Sequence, residues 1–293
     1  MRVHLVDGTY ELFRHFSAVP SLTDATGKER GAVVGVTQSI LGMLERGATH
    51  VGVATDHVIE SFRNDLYAGY KTGEGIDPTL WEQFNPLEAA LEALGVAVWP
   101  MVEVEADDAL AAAAAAAALD KRVEQVLLCT PDKDLAQCVR GDHVVQLDRR
   151  SGEVRNEAGV VTKFGVPPAS IPDYLALVGD ASDGFPGLPG WGAKSASVVL
   201  ARYGHLEGIP ASDGDWEVTV RGAAKLAEAL RDRRKDAMLF RTLATLRTDQ
   251  PKITVDDLAY RGPTPDFEAL TESWRRPNLF ARARAVAEAL PAA

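Results

Sequence analysis

Four short apolar runs recur in the first half of the chain, at residues 3–6, 51–54, 96–98 and 126–129. Each is partly β-branched and bounded by polar or turn-forming residues, the texture of buried strands. Helix-like sequence separates them. Leu87, Leu91 and Leu94 fall on one face of a helix predicted over 86–94. An alanine tract at 111–118, closed by Leu119, Asp120, Lys121 and Arg122, predicts another. So short a helix is marginal alone, so it must pack, and its smooth side admits a close neighbour. Strands alternating with helices predict an α/β fold, a mostly parallel sheet with helices on both faces. Residues 143–164 carry HVVQLDRRSGEVRN and VVTKF, where Ser151-Gly152 predicts the turn of a small hairpin. After Pro167-Pro168 strand-like runs become rare and helical patterns dominate to the end. A boundary at 173 then divides an α/β part, 1–173, from a helical part, 174–293.

Carboxylates stand just past the C-terminal ends of the predicted strands. Asp7 follows the first, Asp56 the second, the stretch Glu105-Ala106-Asp107-Asp108 comes shortly after the third, and Asp132 and Asp134 follow the fourth. Asp107 and Asp108 fall in the first turn of the alanine helix and Glu105 just before it. By themselves these acids are compatible with two roles. They complement the helix dipole, or they form a metal site in which a divalent cation relieves their mutual repulsion. Each aspartate has a local role too: Asp7 in an Asp-Gly turn, Asp132 ahead of a helix, Asp56 in a loop. Their recurrence at one sheet edge, where open α/β sheets bind ligands, favours a shared site.

Composition sets bounds on this picture. The 293 residues suffice for a large core and two domains, and 46% hydrophobic with 25% charged residues is ordinary for a soluble globular protein. No apolar run approaches transmembrane length and no signal pattern opens the chain, so no membrane partner is expected. Two cysteines, Cys129 and Cys138, make no disulfide framework and fit a reducing cytoplasm, with Cys129 in the core. Six scattered histidines show no zinc-ligand spacing. The net charge of −11 argues against nucleic acid as a partner. A local basic patch escapes that argument, and two bound divalent ions would bring −11 + 4 = −7.

Two further stretches carry candidate chemistry. Residues 61–75, SFRNDLYAGYKTGEG, mix Arg63 and Lys71 with Phe62, Tyr67 and Tyr70 and end in flexible glycines. This suits a segment that grips and stacks on a single strand, or a surface loop. In LVGDASDGFPGLPGWGAKSASVVLARYG, Asp180 and Asp183 share one side if helical. The Gly/Pro-rich turn Gly187-Leu188-Pro189-Gly190-Trp191-Gly192 then precedes a helix starting near Ala193. Glycine lets backbone amides approach a phosphate, the helix N-terminus favours the anion, and Lys194 adds a cation beside Ser195. Arg231, Arg233, Arg234 and Lys235 read as the solvated face of a later helix. The tail from Thr254 on reads as largely helical.

These motifs together resemble the structure-specific 5′-nuclease family of bacterial and phage 5′→3′ exonucleases, flap endonucleases and the 5′-nuclease domain of bacterial DNA polymerase I. The matching stretches are LVDGT at 5–9, FRNDLYAGYK at 62–71, VEADDALA at 104–111, TPDKDLAQ at 130–137 and LVGDASDGFPGLPGWGAKSA at 177–196. The resemblance runs to about residue 251. It implies a PIN-like α/β nuclease domain with an arch near 62–85, and a C-terminal helix–three-turn–helix DNA-binding domain. It implies two divalent ions, Mg²⁺ or Mn²⁺, at Asp7, Asp56, Glu105, Asp107, Asp108, Asp132, Asp134, Asp180 and Asp183. Catalytic roles are implied for Lys71 and Arg63, and DNA contacts for Arg14, Tyr70, Gly187, Gly190, Gly192, Lys194 and Ser195. The turn at 187–194 further implies a K⁺ site through backbone carbonyls. The expected activity is hydrolysis of DNA near 5′ ends or flaps by a stand-alone monomer without a polymerase domain. The alternatives are a PIN-type ribonuclease and a non-cutting flap-DNA binder. Two positions depart from the family pattern: Glu74 stands where an arginine is usual, and Gly184 where an asparagine commonly follows the last site aspartate.

Overall fold

The computed structural model describes residues 1–290; residues 291–293, the end of the predicted helical tail, lie outside the described residues. The chain divides into two compact units. The first comprises Met1–Ile59, Gly73–Thr130 and the chain from Thr248 on; the second comprises Glu60–Thr72 and Pro131–Arg247.

All four predicted strands form in the first unit: β1 (Arg2–Asp7), β2 (His50–Asp56), β3 (Ala97–Met101) and β4 (Gln125–Cys129). They pair parallel in the order β3-β2-β1-β4. β1 leads to β2 through α1 (Gly8–Ala18) and α2 (Gly31–Glu45), and β2 to β3 through α4 (Pro78–Trp81) and α5 (Phe84–Leu94). The connection from β3 to β4 is α6 (Ala106–Ala117), and it reverses the direction of travel across the sheet. Right-handed crossovers therefore put α6 on the opposite face from α1 and α5. The alanine tract explains how α6 packs across all four strands. Its side chains project little, and Ala109, Ala113 and Ala117 are fully buried. The switch point of strand order lies between β1 and β4, the place where such sheets bind ligands.

The tail past Thr248 belongs to this unit. A 3₁₀ turn (Val255–Leu258) packs on β2, while α12 (Pro265–Ser273) lies on α5 and α13 (Asn278–Ala289) on α2.

The second unit is mostly helical. Its hairpin, β5 (Val144–Leu147) and β6 (Val154–Arg155), is antiparallel and closed by Asp148 N–H donating to the Glu153 carbonyl at 2.9 Å. VVTKF is not extended; it ends α7 (Glu157–Phe164), which Asn156 caps through Gly159 N–H. No strand follows Arg155 among the described residues. α8 (Ile171–Val178) is packed by α9 (Ala193–Tyr203) and α11 (Arg234–Ala244). Phe185 stacks on Phe240 with ring centroids 5.6 Å apart. The segment around α3 (Phe62–Leu66) joins this core through Tyr70, and Tyr67 meets Phe240 edge-on at 5.8 Å. The basic run 231–235 is exposed as expected, but it spans a junction between α10 (Ala223–Asp232) and α11 rather than one helix. No helix among the described residues is long and apolar enough to cross a membrane.

Candidate metal centre and nucleic-acid interface

In the first unit the acids occupy helix starts and strand ends. Asp7 ends β1 and caps α1: its Oδ1 accepts Tyr10 N–H at 2.8 Å, and its Oδ2 accepts the Thr130 hydroxyl at 3.1 Å. That second bond spans the switch point between β1 and β4. Asp56 ends β2 and accepts Ala106 N–H at 2.8 Å, so it lies at the N-terminus of α6. Glu105 precedes α6 and is buried. Asp108 is fully buried and accepts Glu105 N–H at 3.0 Å, whereas Asp107, one position earlier, is half-buried. The two neighbours thus differ in burial, and Asp108 is the first-turn member of a capping box with the N-cap residue Glu105.

In the second unit the acids converge. Asp134, Asp180 and Asp183 are all buried, and each offers an oxygen within 4.8 Å of the other two. Asp180 and Asp183 are not on a helix. They sit in a loop after α8, closed by Asp180 N–H to the Phe185 carbonyl at 2.8 Å and Phe185 N–H to the Asp180 carbonyl at 3.0 Å. That backbone pair turns both carboxyls to Asp134. Asp134 begins a 3₁₀ turn (Asp134–Cys138), and Asp132, exposed beside it, accepts Asp134 N–H at 2.8 Å. Burial pushes the Asp134 carboxyl well above the usual carboxylate range, and the charges of Asp132, Asp183 and Asp180 push it the same way, against Lys133. Its Oδ1 is buried with no hydrogen-bond partner. An orphaned buried oxygen costs on the order of 1–3 kcal/mol. Converging carboxylate oxygens of this kind suit a hard divalent cation. Two oxygens bonded to one Mg²⁺ lie at most about 4.2 Å apart, twice the ~2.1 Å bond, so little side-chain movement is needed.

Two lysines enter this cluster. Lys71 Nζ lies 3.1 Å from Asp183 Oδ1, and Lys71 N–H donates to the Asp183 carbonyl at 3.0 Å. Lys133 Nζ lies 2.6 Å from Asp180 Oδ2. Burial disfavours the Lys133 ammonium, but the hydrogen bond to Asp180 and the surrounding aspartates outweigh it and raise its pKa above the ordinary lysine value. Lys133 was absent from the sequence expectations; its place between two aspartates in Asp132-Lys133-Asp134 was the available signal.

Arg63 and Tyr70 are not on a surface. Arg63 is 1% exposed, and its guanidinium donates to the carbonyls of Leu243 at 2.7 Å and Thr245 at 3.2 Å. Tyr70 is 3% exposed, with its ring in the core. In this geometry both are packing anchors: the aromatic and guanidinium groups that suggested a stacking, phosphate-gripping loop are engaged by the protein itself. Arg14, half-buried on α1, pairs with Glu11.

The turn at 187–194 forms as expected. Gly187 has φ +68°, and a Cβ there would lie 2.4 Å from Gly179 N, so only glycine lets the turn double back on the end of α8. Gly192 precedes α9, and its N–H donates to Ser195 Oγ at 3.1 Å. Gly190, Gly192, Lys194 and Ser195 help line a cavity of about 580 Å³, together with Thr219 and Arg221. Lys194 and Arg221 are both exposed. Nothing in the motif pattern pointed to Arg221, which the fold brings there from 27 residues downstream, since 221 − 194 = 27.

Residues 2–165 match the 5′-3′ exonuclease, N-terminal resolvase-like domain, and residues 166–266 match the 5′-3′ exonuclease, C-terminal SAM fold. The chain belongs to the 5′-3′ exonuclease family. It is 34% identical over 248 residues to the 5′-3′ exonuclease of Buchnera aphidicola, covering 84% of this chain and 81% of that one. It is 39% identical over 275 residues to DNA polymerase I of Pseudomonas aeruginosa, covering 92% of this chain and 30% of that protein. The chain thus spans less than a third of the length of the DNA polymerase I relatives it matches. Among solved structures, bacteriophage T5 flap endonuclease in a pseudo-enzyme–product complex with DNA and metal ions shares the fold. The TM-score is 0.64 at 19% identity, covering 98% of this chain and 100% of that one. The expected α/β fold with a C-terminal helical domain is that of this family.

Proposed function

We propose that this chain is a divalent-metal-dependent 5′→3′ exonuclease and flap endonuclease acting on DNA. The observation that carries the reading is the convergence of Asp134, Asp180 and Asp183 around the unpartnered Asp134 Oδ1. Family membership and the metal- and DNA-bound T5 relative support it. Asp134, Asp180 and Asp183, with Asp132 beside them, would hold one Mg²⁺ or Mn²⁺ ion. Asp7, Asp56, Glu105, Asp107 and Asp108 would supply ligands for a second. Such ions activate a water nucleophile and stabilise charge on the departing 3′-oxygen. Lys71 would exchange Asp183 for the scissile phosphate and neutralise charge that builds there. Arg63 and Tyr70 would hold the Lys71 segment in place. We divide the chain between a nuclease part, 1–173, and a DNA-binding part, 174–293, whose Asp180 and Asp183 complete the ligands of the first ion.

In the second part Lys194 and the amides at the start of α9 would hold a duplex phosphate, and backbone carbonyls of the 187–194 turn a K⁺ ion. Phosphate contacts position a duplex without reading its sequence. Lys194→Ala therefore weakens binding to all duplex sequences alike and lowers the salt slope of binding by about one. Binding isotherms from 50 to 200 mM salt check this, and an unchanged slope removes Lys194 from the interface.

Both Asp107→Ala and Asp108→Ala are expected to abolish cutting while duplex binding survives. They differ in stability. Asp108→Ala takes away the acceptor of Glu105 N–H at the start of α6 and costs about 1 kcal/mol, more than Asp107→Ala. Urea unfolding midpoints separate the two, and equal losses would mean that Asp108 caps nothing. The reading as a whole is tested with a 5′-labelled flap in DNA and in RNA. Mg²⁺-dependent release of the DNA flap supports it; release of the RNA flap alone makes the protein a ribonuclease, and binding without cleavage makes it a flap binder.

A further inference from the structure

The second-unit cluster contains more positive charge than a bare metal site needs. With all four ionised, as around a bound cation, Asp132, Asp134, Asp180 and Asp183 carry four negative charges, and Lys71 and Lys133 return two, so −4 + 2 = −2, the charge one divalent ion neutralises. The two lysines are held differently. Lys71 is tied to Asp183 by its backbone N–H as well as its ammonium. Lys133 reaches Asp180 with its ammonium, 2.6 Å from Oδ2, and its side chain is one-third exposed at 33%. Asp180 is 4% exposed and cannot satisfy its charge with bulk water.

We infer that Lys133 is a built-in counter-cation that competes with the divalent ion for Asp180 and so sets the ion affinity of this cluster. The inference rests on the divalent-ion reading of Asp134, Asp180 and Asp183. Its physical basis is simple. A buried carboxylate needs a partner, and an ammonium at ion-pair distance provides one. An ion ligated by Asp180 is repelled by that ammonium at short range, where little water intervenes to screen it. Either the ion binds against this repulsion or Lys133 withdraws. Lysine suits the task because it is a compact charge on a flexible stem, and partial exposure gives it an exit to solvent. The exchange leaves Asp180 paired throughout.

The test is direct Mn²⁺ binding by calorimetry on the full chain without DNA, for the parent, Lys133→Gln and Lys133→Arg. Lys133→Gln is expected to bind Mn²⁺ roughly tenfold more tightly, the scale on which a neighbouring charge alters a carboxylate's affinity for a proton. It should also unfold at lower temperature without metal and gain more from Mn²⁺ than the parent. Lys133→Arg, which keeps the charge, should bind close to the parent. Unchanged or weaker binding by Lys133→Gln overturns the inference, as does an equal shift in both variants. Should Lys133→Gln fail to fold, the unsubstituted chain decides through its ¹⁵Nζ lysine signals during a Mg²⁺ titration. The Lys133 signal, identified by its loss in Lys133→Arg, moves with ion binding if the competition exists and stands still if it does not. If the parent chain binds no Mn²⁺, the metal reading itself falls. If Asp134→Asn abolishes Mn²⁺ binding while Lys133→Gln leaves it unaltered, the metal reading stands and only the competition is lost.

Discussion

Asp134→Asn is expected to eliminate Mg²⁺-dependent cleavage and to make the metal-free protein more stable. Asp134 is 5% exposed, its Oδ1 lacks a hydrogen-bond partner, and Asp180 and Asp183 offer oxygens within 4.8 Å. Without a cation this is three acids crowded in a place poor in water, which is why burial and neighbouring charge raise the Asp134 carboxyl so far. Asparagine keeps the size, removes one charge and adds an N–H₂ that can donate to the remaining carboxylates. The metal-free protein should gain roughly 1 kcal/mol, about 2–4 °C in unfolding temperature for a protein of this size. Activity moves the opposite way. Metal assistance is worth several kcal/mol of transition-state stabilisation, so its loss costs roughly a thousandfold or more in rate. Cleavage assays at saturating Mg²⁺ and thermal unfolding in a chelator measure the two effects on one variant. Cleavage within tenfold of the parent would remove Asp134 from the metal centre. A lower unfolding temperature would mean that its charge is already balanced within the fold.

The second large effect is expected at Gly184. The family's usual asparagine does not fit here. Gly184 has φ +85°, and a Cβ would stand 2.2 Å from the Gly69 carbonyl oxygen, far inside contact distance. Asparagine tolerates the left-handed conformation better than most residues, so backbone strain alone costs about 1 kcal/mol. The collision with Gly69 costs more, because it is with backbone on a segment anchored by Arg63 and Tyr70. Relief requires moving that segment, and with it both contacts from Lys71 to Asp183. Gly184→Asn is therefore expected to cost about 3 kcal/mol, roughly 6–12 °C, and to slow cleavage by detaching Lys71. Gly184→Ala should do nearly as much, since the collision begins at Cβ. An unchanged unfolding temperature in either variant would show that the Gly69 segment yields freely and does not hold Lys71.

How much of this was legible in the sequence depended on the range of the interaction involved. The four parallel strands, the alanine helix with acids at its start and the turn at 187–194 all form as the pattern predicts. Each is local: the period of apolar residues, helix propensity and glycine at a tight turn act within a few residues. The same holds for the acids around Asp107, although the local pattern could not separate Asp108, buried as a cap, from Asp107 beside it. One side chain's rotation on a helix start depends on what packs there.

Longer-range features were decided only by the tertiary structure. Asp180 and Asp183 meet Asp134 from across 46 positions of chain, 180 − 134 = 46, by a loop closed on Phe185 and not by helical spacing. Residue types in 61–75 suggested a strand-gripping loop, yet Arg63 finds the carbonyls of Leu243 and Thr245, 180 or more residues away. Basic and aromatic groups serve a core as readily as a nucleic acid, and composition does not say which partner arrives first. Lys133 belongs to the same class: a lysine between two aspartates reads as a local salt-bridge former, and its bond to Asp180 exists because α8 delivers that carboxylate to it. The sequence by itself determined which elements form and where the acids stand on them. Which acids meet, and which cations they meet, was set by packing, because a buried charge is stabilised only by the partners the fold brings within about 3 Å.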